Sequence, residues 1–90
     1  MVQVVWSRRA LAELAAIRAY IDQFSPLAAQ RMAVRLKAAG DSLSSFPDRG
    51  RPVAPGIREL VVIYPYIIRY RVKDDQVGII RIRHGAQEPD

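Results

Sequence analysis

The stretch YIIRYRVKDDQVGIIRIR, residues 66–83, decides the fold. Apolar and basic side chains alternate on either side of Asp74, Asp75 and Gln76, the period-two pattern of half-buried strands flanking a turn. The pattern also selects a register. A two-residue loop at Asp74-Asp75 sets Ile68 opposite Arg81 and Arg69 opposite Ile80, which mixes the faces. A three-residue loop over 74–76 sets Tyr70 opposite Ile80 and Ile68 opposite Ile82 on one face. It sets Arg69 opposite Arg81 and Arg71 opposite Ile79 on the other. Because a slip of one residue inverts every side chain, the three-residue loop is expected. One face is then core, and the other carries Arg69, Arg71, Lys73, Arg81 and Arg83 as an exposed basic surface.

Outward from this hairpin, a preceding strand is expected over about Ile57–Tyr64, with the hairpin strands at Tyr66–Lys73 and Val77–Arg83. Residues 47–56 (PDRGRPVAPG) hold three prolines and two glycines and read as loop. Further upstream the period becomes helical. Ser25-Pro26 is a start signal, a hydroxyl cap followed by proline at the first helical position. From there Ala28, Met32, Leu36, Ala39 and Leu43 form one stripe. Ala29, Ala33 and Gly40 form a small-residue stripe beside it, where another backbone could come close. Before that helix, Ser7 caps another in which Leu14, Ile17, Ile21 and Phe24 share a face. Almost no linker separates the two, so they form an αα-hairpin. Val2, Val4 and Trp6 alternate with Gln3 and Val5 as a short first strand. The fold class is α+β: an αα-hairpin packed on a small, mainly antiparallel sheet, in the order β-α-α-β-β-β.

Ninety residues suit a single domain over 1–90, since domains commonly run about 100–150 residues. Half the residues are hydrophobic and 26% charged, a globular mix. The chain has no cysteine, which excludes disulfides, thiolate metal sites and cysteine nucleophiles. Its longest apolar run, Leu60 to Pro65, falls far short of the ~20 residues of a membrane span. Residues 1–14 lack the pattern of a secretion signal. A cytoplasmic location and no membrane partner are expected. The net charge is +5, from twelve arginines and two lysines (Lys37 and Lys73) against nine acids. Arginine's planar fork suits carboxylate and phosphate partners, although a genome rich in G and C would give the same bias.

Arg69 opposite Arg81 is mildly unfavourable for the fold, because like charges across a ladder repel. With Arg58 added, the strands hold six basic residues and one acid, Glu59, which suggests a surface for nucleic acid or an acidic polypeptide. Tyr70 alternates to the core face, so no base-stacking platform is indicated. His84 is the one histidine. Ribonucleolytic chemistry needs a base, an acid and a cation, roles that Glu59, His84 and Arg81 could nominally fill. The alternative is a structural histidine hydrogen-bonded near a strand end, and a Glu59 paired with a neighbouring arginine. No ligand spacing for a metal is present, and no cofactor motif.

Four segments together resemble the RelE/ParE toxins of bacterial toxin–antitoxin modules. They are PDRGR at 47–51, IRELV at 57–61, YIIRYRV at 66–72 and IRIRHGAQ at 80–87, with V-x-W near the start. The resemblance covers nearly the whole chain. It implies a toxin neutralised by a cognate antitoxin in a hetero-oligomer, and arrest of growth when the toxin is freed. RelE-like members cut mRNA on the ribosome with a basic cluster and usually a C-terminal Tyr; here Arg58, Arg81 and His84 would be the catalytic set. ParE-like members inhibit DNA gyrase and lack that set. The tail, GAQEPD, has no terminal tyrosine, and the REL and HGxQ segments look more like ParE. The resemblance therefore implies gyrase as target, contacted by Arg69, Arg71, Arg81, Arg83 and Gln87. The antitoxin would be held by Leu14, Ile17, Met32, Leu36 and Arg58.

Overall fold

The computed structural model describes residues 2–85. In chain order they form β1 (Gln3–Trp6), α1 (Arg8–Asp22), α2 (Pro26–Asp41), a 3-10 turn (Ser42–Ser44), β2 (Arg51–Ala54), β3 (Ile57–Ile63), β4 (Tyr66–Lys73) and β5 (Gln76–His84). The strands make one five-stranded sheet in the order β1-β5-β4-β3-β2, antiparallel except that β1 runs parallel to β5. Both helices lie on one face of it. Ala10, Leu36, Ala39 and Leu43 pack there against Leu60, Ile68, Tyr70, Val77, Ile79 and Ile82.

Both helix starts follow their sequence signals. Ser7 Oγ accepts from Ala10 N–H at 3.0 Å, and Ser25 Oγ accepts from Ala28 N–H at 3.1 Å. These bonds satisfy amides that the first turn leaves without a partner. In the small-residue stripe, Gly40 lies under the indole of Trp6 and next to Ile79, where a Cβ would have no room. Trp6 Nε1–H donates to Asp41 at 3.0 Å, fixing β1 to the end of α2. Burial raises the Asp41 pKa, but the hydrogen bond and charge of Lys37 and the bond from Trp6 outweigh it and hold the carboxyl low.

Three expectations need correction. Residues 47–56 are not all loop: Arg51–Ala54 form the edge strand β2, so the order gains a strand. Proline is tolerated there because an edge strand bonds on one side only, and the pairing shifts register between Pro52 and Ala54. The last strand also runs on to include His84. Finally, the hairpin uses both registers. Lys73 pairs with Gln76 around a two-residue Asp74-Asp75 turn, and Tyr70 pairs with Ile79, not Ile80. A bulge then shifts the ladder by one residue, so that Ile68 still faces Ile82 and Arg69 still faces Arg81. Asp74 adopts φ 54° in the tight turn. The extra residue is Ile80, whose carbonyl accepts from Ser7 Oγ–H at 2.8 Å. The bulge resolves the conflict between tight turn and face pattern.

Candidate functional site

The sheet face away from the helices carries a cross-strand row in which Arg51 pairs with Glu59, Glu59 with Arg69 and Arg69 with Arg81. The acid sits between two of the arginines. Arg69 Nε and Nη2 both donate to Glu59 Oε2, at 3.0 and 2.9 Å. Arg83 Nη2 lies 3.4 Å from each carboxylate oxygen, and Arg51 Nη2 3.8 Å from Oε1. Glu59 is only 3% exposed. Burial pushes its pKa up, but the hydrogen bond from Arg69 and the charges of Arg83 and Arg69 more than reverse this, so it is held below the usual carboxylate range. The like-charge cost expected between Arg69 and Arg81 is thereby relieved.

Arg81 turns elsewhere. Its Nη2 donates to Glu13 Oε2 on α1 at 3.1 Å, while Glu13 Oε1 accepts the Ile82 N–H at 2.9 Å. β1 ends opposite Ile79, so beyond it Glu13 occupies the edge of β5 in place of a strand. Arg81 and Arg83 are each 7% exposed, which corrects their expected place on an exposed surface. Alternation gave their direction. It could not show that α1 and Glu59 would take them up. Arg71, Lys73 and Arg51 are the exposed cations of this face, and Arg71 and Arg51 line a groove of about 610 Å³ together with Val53, Ala54, Ile57 and Ile80. Gln87 lies outside the described residues.

Arg58 belongs to the other face, since it pairs with Tyr70. Its Nη1 donates to the Gly50 carbonyl at 2.7 Å, and its Nη2 is 3.7 Å from the Asp48 carboxylate. The Tyr70 hydroxyl pins the same loop, donating to Pro47 O and accepting from Gly50 N–H, both at 2.8 Å. Burial raises the Tyr70 pKa, and the bond from Gly50 offsets it only in part. His84 is exposed and stands edge-on to Tyr66, with ring centres 5.7 Å apart. Sequence reading missed Tyr66, although its spacing from Ile68 and Tyr70 places it on their face. Arg58, Arg81 and His84 are not brought together. Arg58 and His84 pair with β4 residues four apart, roughly 13 Å along a strand, and Arg81 is on the opposite face.

The helix residues proposed as antitoxin anchors turn inward. Leu36 is buried in the core, and Leu14, Ile17 and Met32 pack against it half-buried. Leu11, Tyr20, Phe24, Leu27 and Val34 are the exposed large apolar side chains of the helical hairpin, Phe24 at 73% despite its place in the expected stripe. Among the described residues, no three His, Asp or Glu side chains group closely enough to hold a metal ion.

Comparison with known proteins places this architecture. The family model described as the ParE toxin of the type II toxin–antitoxin system parDE matches residues 4–89. Toxin RelE2 of Caulobacter vibrioides is 64% identical over 87 residues, covering 97% of this chain and 99% of that protein. Putative toxin Y4kP of Sinorhizobium fredii is 41% identical over 88 residues, with 96% and 91% covered. A solved structure described as the chromosomal ParDE system from P. aeruginosa superposes with a TM-score of 0.82 at 29% identity, covering 93% of this chain and 96% of that one.

Proposed function

Since the chain belongs to the ParE toxin family of type II toxin–antitoxin systems, we propose that it arrests growth in the cytoplasm by inhibiting DNA gyrase through protein contacts. A cognate antitoxin would hold it inactive in a hetero-oligomer. One observation carries the choice of target: the groups a nuclease would need are committed separately to the fold. Arg81 is tied to Glu13, Arg58 to the loop at 48–50, and His84 lies on Tyr66 across the sheet. Cleavage requires acid, base and cation within reach of one phosphodiester. Gyrase contact requires only a surface, and Arg71, Lys73 and Arg51 supply its accessible charge, with Gln87 as a further candidate. For the antitoxin, an acidic segment that folds on docking suits the +5 chain. Its apolar anchors would meet Leu27, Val34, Tyr20 and Phe24 together with the accessible parts of Leu14, Ile17 and Met32.

Ribosome-dependent mRNA cleavage is the second reading, favoured by the RelE name of the 64% identical relative. Purified gyrase supercoiling run beside cleavage of ribosome-bound mRNA separates the two. The expected result is inhibited supercoiling, weakened by Arg71→Ala and changed less than a few-fold by His84→Ala. Codon-phased mRNA cuts that His84→Ala abolishes, with supercoiling untouched, would establish the nuclease instead.

A further inference from the structure

We propose that Glu59 is an internal anion that fills the arginine cluster of the open sheet face and thereby disfavours nucleic acid there, leaving the face to polypeptide partners. Arg69, Arg83 and Arg51 surround its carboxylate at 2.9, 3.4 and 3.8 Å. Guanidinium groups gather in this way around an external phosphate or carboxylate. Here the chain supplies the anion itself. Glu59 is the one acid among the residues of β2 to β5, which carry seven Arg and Lys side chains.

The consequence follows from charge. With Glu59 ionised, its charge offsets part of that of Arg69 and Arg83, and Arg51, Arg71 and Lys73 remain the accessible cations. Polyphosphate affinity grows with the number of phosphates neutralised, so this valence is low. The groove is also lined by aliphatic side chains, with no aromatic ring on which a base could stack. A polypeptide carrying scattered acids between apolar residues matches both features. Removing the Glu59 charge takes away the carboxylate that Arg69 binds through Nε and Nη2, and an incoming phosphate can then take its position.

The inference deepens the protein-contact reading above, and its test keeps the two apart. Binding of a labelled single-stranded oligouridylate is measured by fluorescence anisotropy over a salt series, for the full chain and for E59Q. Folding is checked by thermal melts in chloride and in phosphate of equal ionic strength. The expected result is about tenfold tighter binding by E59Q, with a salt slope steeper by roughly 0.7, for the one unit of negative charge removed. The added change Arg71→Ala should reverse part of the gain. A merely structural Glu59 would lower the melting temperature and leave RNA affinity unmoved, and a folded E59Q that binds no tighter overturns the proposal. If E59Q folds in neither salt, E59D carries the test. Its carboxylate is drawn back by one carbon–carbon bond, and it should bind about two- to fivefold tighter than the natural chain; equal affinity overturns the proposal. Tight binding by the natural chain, with E59Q tighter still, would count against the protein-contact reading while leaving the role of Glu59 intact.

Discussion

Tyr70→Phe removes one hydroxyl from the core and leaves the ring in place. That hydroxyl closes two bonds of 2.8 Å, one to the Pro47 carbonyl and one from the Gly50 amide. Tyr70 is fully buried and Gly50 is also buried, so water does not readily replace the lost partner. A buried amide left without its acceptor costs about 1–3 kcal/mol, and the second bond, to a half-buried carbonyl, adds about 0.5–1.5. The expected loss is about 2–3 kcal/mol, which for a domain of this size lowers Tm by roughly 10–20 °C. The effect should also be local. Arg58 donates to the Gly50 carbonyl, so the loop at 47–50 and the Arg58 side chain should loosen together. Urea unfolding gives the magnitude, and hydrogen exchange at the Gly50 amide gives the location. A loss below about 0.5 kcal/mol with that amide equally protected would refute the reasoning, because the hydroxyl could then not be what holds the loop.

Ser7→Ala should cost about 1–2 kcal/mol, since it removes both the α1 cap and the bond to the bulged Ile80 carbonyl. Cross-strand NOEs between Tyr70 and Ile79 should weaken with it, and unchanged NOEs would show that the bulge holds itself. Gly40→Ala should destabilise by about 1–3 kcal/mol and shift the Trp6 fluorescence, because the new methyl group meets the indole. Glu59 and Asp41 are both held below their ordinary values, the opposing effect of burial being outweighed by basic partners. Their contribution is full above the unfolded carboxylate range near ~4 and lost as pH falls through the lower folded values. Tyr70 acts in the opposite sense: its pKa is raised, so its contribution is full below about 10 and lost as pH rises through the folded value. Urea midpoints across pH should therefore fall at both extremes, and a Glu59→Gln chain with an unchanged acid limb would contradict the pairing.

Local signals carried the helices and most of the strands. A cap such as Ser7 or Ser25-Pro26 acts within three residues on its own backbone, so its effect is written beside it. Alternation along β4 and β5 likewise divided core from open face, and Ile68 and Tyr70 are buried as their positions require. β2 was not legible, because Pro52 within it and Pro47 and Pro55 around it signal loop, and only the neighbouring β3 makes it a strand. The bulge was hidden for a related reason. The tight Asp74-Asp75 turn and the face pattern ask for different registers, and the bulged Ile80 carbonyl between them is bonded by Ser7, more than seventy residues away in the chain. The site divides in the same way. Sequence alone determined that arginines would line the open face and that Glu59 was their one nearby acid. Which of them reach solvent was decided only by tertiary structure, where α1 brings Glu13 to Arg81 and β3 brings Glu59 to Arg69 and Arg83. The physical reason is that alternation fixes the direction of a side chain, while its exposure and its charge depend on which distant group the fold sets beside it.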